Sequence, residues 1–599
     1  MRRSYWEYVD KIIDPDSADS SEIDSMKRFW HFVKTNRKDS HGVPRLKSGG
    51  KVSISPKDKA DTLNRQFQSV FSATSNSVPE DLLGDSTHPM AEDITITAHG
   101  IYKMLKKLKP HKAAGPDNVT ARILKEMAQP IAPILRILFQ ASYDSGIVPQ
   151  EWREANVVPV YKKGVKSDPS NYRPISLTCI TCKLMEHVIA SNIMAHARTN
   201  NILYQLQYGF MDKRSCETQL LEFQNDILEN LDTNSQTDVL IMDFAKAFDK
   251  VSHRHLIRKL DFYGVRGKTN RWIQSFLTER QQCVVLDGEK SDKVPVTSGV
   301  PQGSVLGPCL FIYYINDIAN DMTSTVRLFA DDTVAYLAVK GMDDAYQLQA
   351  DLDRLGTWEK KWLMEFHPKK CEVLSITKNR NKIHHNYKLH GHKLQHVQQA
   401  KYLGVTITSD FSWNTHISNI ISKASKNLGF LRRNLQSNLP KIKDRAYKAL
   451  VRPLLEYAPT VWDPHTLSNI RSLEMVQRRA ARYVLNRHEK RSSVREMLHE
   501  LQWPQLETRR KIARLCMLYK AINNYVDMPS HKDRLKPCTR PSRRRNNSMA
   551  FNIPETSKAY VKESFYPKTI REWNVLPEEI VSADSMDIFK DRLTKHLCR

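Results

Sequence analysis

The sequence predicts an α/β (α+β) chain that mixes strands with helices up to about Asn414 and is helical after it. Three observations predict this. Two short apolar β-runs, Val326 to Phe329 and Val334 to Val339, flank the acidic pair Asp331 and Asp332. A third apolar run, Asp238 to Phe244, carries Asp243. From Asn414 onward, apolar residues recur at helical spacing and Lys and Arg crowd between them.

The totals narrow the function classes. The chain has 599 residues, enough for several cores, and 92 Lys+Arg against 66 Asp+Glu give a net charge of +26. That balance favours nucleic acid as a partner. The nine Cys are scattered and form no disulfide framework, which points to a reducing compartment. Cys179 and Cys182 make one C-x-x-C with no second pair at zinc spacing. No apolar stretch follows the basic N-terminus, so it is not a secretory signal. The apolar run Cys309 to Ile315 is too short to span a bilayer.

Asp331 and Asp332 carry the chemistry. Paired carboxylates at the bend of an apolar hairpin repel and raise each other's pKa unless a cation lies between them. Asp-Asp between strands is also a common solvated turn. Asp243 changes the balance, because an unpaired carboxylate in an apolar strand is expensive to bury. Three acids from two distant strands suit two-metal phosphoryl transfer, with Mg²⁺ the natural hard cation.

These stretches resemble a known family. Phe-Ala-Asp-Asp (329–332) is similar to the catalytic box of reverse transcriptases. Asp243-Phe-Ala-Lys-Ala-Phe-Asp-Lys-Val251 resembles the first aspartate motif of non-LTR (LINE-type, jockey/CR1-like) retrotransposon polymerases, and Ser298-Gly-Val-Pro-Gln-Gly-Ser-Val-Leu-Gly-Pro308 their next motif. The resemblance implies a right-hand polymerase: fingers, a palm with an antiparallel sheet, a helical thumb and a C-terminal helical region.

Residues 1–94 read as a basic extension and linker. Ser25 to Val33 suggests a short amphipathic helix, and Lys57 to Phe71 another, with Ala60, Leu63, Phe67 and Val70 on one face. Residues 95–230 are expected to form the fingers and the start of the palm. Thr95 to Lys109 is a helix with Thr97 as N-cap, and Lys112-Ala-Ala-Gly-Pro-Asp117 breaks it. Pro130 to Ser145 and Cys179 to Asn200 are helices. Between them, Val157 to Gly164 and Asn171 to Leu177 read as two strands joined by a basic loop, resembling the hairpin that folds over the incoming nucleotide. Lys162, Lys163 and Arg173 are the candidates for its triphosphate, with either lysine able to reach in. Gln207-Tyr-Gly-Phe210 resembles a template-side segment.

The reverse transcriptase domain (fingers-palm) is expected over 141–408. Phe248 matches the position that abuts the sugar 2′ carbon, where a bulky ring favours dNTP over rNTP; an ordinary core aromatic is the alternative. Asp249 sits in a helix-start context and need not bind metal. Arg254 to Leu277 is helical, and Gln281 to Val300 a hairpin turning at Asp287–Gly288. Gly299, Gly303 and Gly307 allow close backbone approach, and Gln302 matches the position contacting nucleotide and template. Met342 to Glu365 is a long helix. Lys370 in Phe366-His-Pro-Lys-Lys-Cys371 matches a lysine that protonates the leaving pyrophosphate, although the family often has Asn where His367 stands. Lys401-Tyr-Leu-Gly-Val405 resembles the primer grip, Tyr402, Leu403 and Gly404. The histidines between His384 and His396 read as structural.

Residues 409–530 are expected to form the thumb, with helices over 417–435, 441–455, 467–484 and 503–523. Arg432, Arg433, Arg478, Arg479, Arg482, Arg509, Arg510 and Lys511 are its candidate duplex contacts, with Tyr483 and Trp503 among them. Residues 531–599 read as a basic linker, with Lys536 to Asn547 disordered, and a C-terminal tail around Phe565 to Pro577.

The expected function is RNA-directed DNA polymerase. Asp243, Asp331, Asp332 and Lys370 would be catalytic, the three acids would bind two Mg²⁺ (Mn²⁺ as substitute), and Lys162, Lys163, Arg173, Phe248, Gln302 and Gly303 would bind the nucleotide. Expected partners are an RNA template, a DNA primer or target, the RNA–DNA duplex and dNTPs, with no membrane. Full-length elements of this type usually carry an endonuclease upstream and none precedes the fingers here, so a truncated reading frame or a fragment is expected, with a separate endonuclease as a candidate partner. Localisation is expected in a nuclear and/or cytoplasmic ribonucleoprotein. Two rivals stand beside this: a catalytically decayed or domesticated copy that only binds RNA or duplex, and a viral RNA-dependent RNA polymerase, against which Phe248 and Ala330 speak.

Overall fold

A computed structural model describes residues 42–72, 83–436, 439–489, 492–538, 547–556 and 558–598. The expected helix at Ser25 to Val33, residues 73–82 of the expected linker and residues 539–546 of the Lys536 to Asn547 stretch lie outside these residues.

The chain is built on a five-stranded sheet in the order Gln395–His396, Glu372–Ile376, Gln236–Asp243, Asp332–Val339, Thr325–Phe329. All pairings are antiparallel except the short outer one. Side chains along a strand alternate between faces, and here both faces are covered. Val239, Val334, Tyr336 and Leu374 enter one core; Leu240, Met242, Val326, Leu328 and Ala335 enter another. This is why the strands read as continuously apolar. Helices Leu306–Tyr314 and Met342–Trp362 contribute to the second core, and helix Cys216–Asp232 to the first.

A second sheet runs Tyr172–Leu177, Glu154–Tyr161, Arg280–Leu286, Glu289–Lys290, with Val294–Val296 also on the Arg280 strand. The predicted hairpin at Asp287–Gly288 is present, and both residues have positive φ as a two-residue hairpin turn requires. The N-terminal segment folds onto this sheet. Helix Pro56–Gln68, capped by Ser55, buries Ala60, Leu63 and Phe67 against Val157, Tyr172 and Val284. Val70, expected on the same face, falls past the helix end.

Helix Ala98–Lys106 is N-capped by Thr97, whose hydroxyl accepts from the Gly100 N–H at 3.1 Å. The single helix expected over Arg254 to Leu277 is two, His253–Phe262 and Gly267–Leu277. The Val265 N–H turns back to the Leu260 carbonyl at 2.8 Å and ends the first.

From Asn414 the named elements are helices, including Asn414–Asn434, Pro440–Leu450, Leu467–Leu485 and Leu506–Ile522. They share one core with the sheet's first face and with the C-terminal helices Phe565–Trp573 and Met586–Leu597. Several expectations change here. Trp503 is buried, stacks on Tyr447 at 4.3 Å and donates to Asp444, while the Tyr483 hydroxyl donates to the Leu435 carbonyl, so both are core residues. Arg510 is 1% exposed and held by Asp463 at 2.7 Å, and Arg509 is paired with Glu456. Arg510 is committed inside the protein and Arg509 is half-buried in its ion pair, whereas Arg432, Arg433, Arg478 and Arg479 are exposed. The two flanks of the expected linker pair with each other: the Asn552 N–H donates to the Lys536 carbonyl and the Cys538 N–H to that of Ala550. Helical periodicity alone does not say which charges on a helix meet a buried partner.

Candidate active site

The strand register assembles the carboxylates. Asp332 is directly opposite Asp243 on the neighbouring strand, and Asp332 also pairs with Phe329 across the hairpin, leaving Ala330 and Asp331 as a two-residue turn. Opposed residues on antiparallel strands point to the same face with Cβ atoms about 5 Å apart. Asp243 and Asp332 therefore project together, with Asp331 beside them. Ala330 adopts a left-handed φ of 54° at this bend.

Asp331 and Asp332 are exposed and Asp243 is half-buried, in the cleft between this turn and the hairpin that brings Lys162 and Arg173 near. Burial by its walls raises the Asp331 pKa, and the Asp243 charge adds to the rise. Asp332 is pushed up to about 6 by burial, by Asp331 and by Asp243. Lys162 and Arg173 are the cations that oppose both rises. They come from the hairpin Glu154–Tyr161 and Tyr172–Leu177, where the Lys162 N–H donates to the Asn171 carbonyl at 2.9 Å. The cleft walls desolvate Lys162 and lower its pKa, with Arg173 adding to the fall. Lys163 acts on Lys162. Lys370 joins from the other side, its Nζ 3.2 Å from Asp243 Oδ2. The His367 N–H donates to the Asp243 carbonyl at 2.7 Å, so backbone, not the residue-367 side chain, holds the Lys370 loop to the strand.

Among the described residues, no three His, Cys, Asp or Glu side chains close into a metal cage. The donor set still suits a hard divalent cation. Mg²⁺ is usually held by one or two carboxylates with water and substrate phosphates completing its sphere, and these acids form such an open, oxygen-only face. Their raised pKa values report the repulsion that a cation would relieve.

The remaining sequence candidates surround this face. Phe248 stacks on Phe311 at 4.5 Å and meets Phe210 edge-on at 6.2 Å. The Val300 N–H donates to the Phe248 carbonyl at 2.8 Å, which ties the 299–303 loop to it. Gly303 has φ 113°, and a Cβ there would lie 2.7 Å from the Ser176 carbonyl oxygen, so a side chain would push the loop off the strand bearing Arg173. Tyr402, Leu403 and Gly404 form the tip of the hairpin Gln399–Tyr402 and Val405–Thr408. Tyr402 is buried and accepts from Gln219 Nε2, and the Leu403 carbonyl accepts from the Tyr457 hydroxyl at 2.9 Å. Burial raises the Tyr402 phenol pKa, and among the charges acting on it is that of Asp332.

Sequence reasoning missed three supports. Gln207 Oε1 accepts from the N–H groups of Gly209 (2.8 Å) and Ala330 (3.1 Å), bracing the turn that carries Asp331. Glu186, fully buried, accepts from the Val305 and Leu306 N–H groups at the start of helix Leu306–Tyr314. Its sequence context, Cys182 to Ile189, also carries Lys183 and His187 and does not mark it out. Asp249 is the third, bonded to Gln302.

Gly209 gives a direct test. A Cβ there would collide with the Ala330 backbone N, which cannot yield without moving Asp331. Gly209→Ala is expected to lower turnover by about 10²-fold, since about 1 Å of misplacement has that effect, with a lowered but still cooperative melting transition.

Residues 160–407 match the family described as reverse transcriptase (RNA-dependent DNA polymerase). Curated relatives include the RNA-directed DNA polymerase from mobile element jockey of Drosophila melanogaster, 26% identical over 503 residues, which cover 80% of this chain and 54% of that protein. The probable RNA-directed DNA polymerase from transposon BS of the same organism is 26% identical over 490 residues, 77% of this chain and 53% of that one. A Pol polyprotein from type-1 retrotransposable element R2 of Popillia japonica is 26% identical over 222 residues, 37% of this chain and 30% of that one. The chain spans about half the length of the first two relatives. Residues 160–407 are thus similar to reverse transcriptases, and the longer alignments are to proteins named as RNA-directed DNA polymerases of mobile elements.

Proposed function

We propose that this chain is an RNA-directed DNA polymerase of a non-LTR retrotransposon, adding dNTPs to a primer 3′ end on an RNA template. The observation that carries the reading is the register setting Asp332 opposite Asp243, with Asp331 in the turn, Lys162 acting on all three acids and Arg173 on Asp331 and Asp332. In this reading residues 95–230 are fingers with the start of the palm, 141–408 the fingers-palm domain, 409–530 the thumb, and 531–599 a tail that packs into the thumb core. The first 94 residues precede the fingers, and the described part of them braces the fingers sheet.

Two Mg²⁺ held by Asp243, Asp331 and Asp332 would supply Lewis acidity to the attacking 3′-hydroxyl and to the leaving pyrophosphate. Arg173 offers the triphosphate a fork of N–H donors, and Lys162 a point charge. Lys370, ion-paired with Asp243, is the acid for the pyrophosphate. Phe248, seated on Phe311, excludes a 2′-hydroxyl, and Gln302 with Gly303 forms the adjoining wall. Tyr402, Leu403 and Gly404 hold the primer end. The RNA–DNA duplex is gripped by the exposed arginines of the C-terminal helices. A nick from a separate endonuclease supplies the primer, and the particle is a nuclear and/or cytoplasmic ribonucleoprotein. No helix among the described residues is long and apolar enough to cross a membrane.

The test is extension of oligo(dT) on poly(rA) with Mg²⁺, comparing dUTP with UTP. Extension with dUTP in preference is the expected result. Salt-sensitive duplex binding without extension sinks the reading in favour of a binding protein, and preference for UTP would indicate an RNA polymerase. The two lysines are separable in the same assay. Lys162→Ala is expected to raise the dNTP KM by about 10-fold or more, the loss of a charge-assisted contact, and Lys163→Ala by less than about 3-fold. The reverse order would assign the triphosphate to Lys163.

A further inference from the structure

Asp249 is a charged group that the mechanism above does not use. It follows Phe248 directly, and three contacts tie it to the 298–302 loop. Its Oδ1 accepts from Gln302 Nε2 at 2.8 Å. Its backbone carbonyl accepts from the Ser298 hydroxyl at 2.8 Å. The Gly299 position is so close that a Cβ would lie 2.8 Å from Asp249 Cα. Gln302 continues the connection, its carbonyl accepting from the Ser176 N–H at 2.7 Å on the strand that carries Arg173. One side chain thus links the residue behind the sugar gate, the loop wall and the fingers strand.

The hydrogen bond also fixes a chemical choice. A glutamine amide has a donor end and an acceptor end. With Nε2 committed to Asp249, Gln302 turns its other end, Oε1, away from the carboxylate. A carboxylate enclosed by the cleft is unfavourable unless hydrogen-bonded, and burial does raise the Asp249 pKa, with the Gln302 bond and Lys246 opposing the rise.

We infer that Asp249 is a positioning residue for nucleotide selection, orienting the Gln302 amide and seating Phe248 through the Asp249–Gln302 hydrogen bond. It touches neither metal nor triphosphate. Its effect falls on nucleotide affinity and sugar discrimination, and leaves the rate of the chemical step nearly alone. This rests on the polymerase reading.

The experiment measures steady-state dUTP and UTP incorporation on poly(rA)/oligo(dT), with thermal melting and duplex affinity recorded for each variant. Loss of one hydrogen bond predicts that Asp249→Ala raises the dUTP KM about 10-fold and lowers dUTP-over-UTP preference by about as much, with kcat within about 3-fold. Asp249→Asn keeps an acceptor for Gln302 Nε2 and should recover KM and preference to within about 3-fold. In a Gln302→Met background, Asp249→Ala should add no more than about 2-fold, since its partner is already gone. Should the alanine variant fail to fold, Asp249→Leu, of similar shape and without an acceptor, takes its place. Unchanged KM and preference in the acceptor-free variant overturn the inference. So does an asparagine variant as impaired as alanine, or losses that multiply in the Gln302→Met background. No extension by the unaltered chain fails the polymerase reading itself, and this inference with it.

Discussion

Replacing Asp331 and Asp332 together by Asn is expected to lower primer extension at saturating dNTP by at least about 10³-fold, the scale of removing preorganised charge stabilisation from a transition state, while salt-sensitive duplex binding persists. The variant keeps shape and hydrogen-bonding capacity at the turn but removes two of the three charges that face Lys162 and Arg173. Titration with Mg²⁺ should show weakened cation binding without any nucleic acid present. Retained turnover would place the chemistry elsewhere. The same carboxylates predict a pH dependence. Asp332 has a pKa of about 6 in the metal-free protein, so Mg²⁺ must displace a proton below that pH and binds more weakly there. Activity should rise with pH through about 6. The stability sign is the opposite. A carboxyl whose folded pKa is raised above the unfolded value of about 3.9 contributes stability below that value and loses it as pH rises through the folded one. The metal-free protein should therefore lose some stability between about pH 4 and 6, and Mg²⁺ should restore it above that range. In the double Asn variant this response should vanish.

The second large effect is structural. Asp463, 8% exposed, meets Arg510 at 2.7 Å, Arg514 at 2.9 Å and Lys568 at 2.8 Å. Burial disfavours its ionisation, but Arg514, Lys568 and Arg510 outweigh that and hold its pKa below the ordinary range. Arg514 has Glu572 as a second partner, whereas two guanidinium nitrogens of Arg510 have none. Asp463→Ala leaves buried cations uncompensated, and the expected loss is about 3–5 kcal/mol, read as a lowered melting transition. Because this pKa is depressed, the contribution is present above the unfolded value of about 3.9 and disappears as pH falls through the folded one. A variant melting like the parent at pH 7 would show that the cluster contributes nothing net. The site also ties the tail to the helices before it, since Lys568 lies on Phe565–Trp573 and Arg510 and Arg514 on Leu506–Ile522. Losing the tail should accordingly destabilise the helical region.

How much was legible in the sequence follows from the range of each interaction. Most helix and strand positions were, including the Thr97 cap and the Asp287–Gly288 turn, because capping, periodicity and turn chemistry are local, whereas the break at Tyr263 to Arg266 was not. The three acids and the loop 299–303 stood out because paired charges and clustered glycines in apolar surroundings have few folding reasons to exist. Non-local pairings were decided only by tertiary structure. Arg510 and Arg478 occupy similar basic helices in the sequence, yet one is sealed against Asp463 and the other is exposed. Trp503 could not be told from a surface aromatic until Tyr447 and Asp444 closed on it. The bracing roles of Glu186, Gln207 and Asp249 were not legible, since each gains its meaning from a backbone or amide partner that only the folded chain brings near. Composition, spacing and turn residues by themselves determined most of the elements and singled out the three carboxylates as candidates. Which charges face the cleft and which are spent inside the core was decided by packing, because a side chain's partner depends on residues distant in sequence and its own neighbours do not encode it.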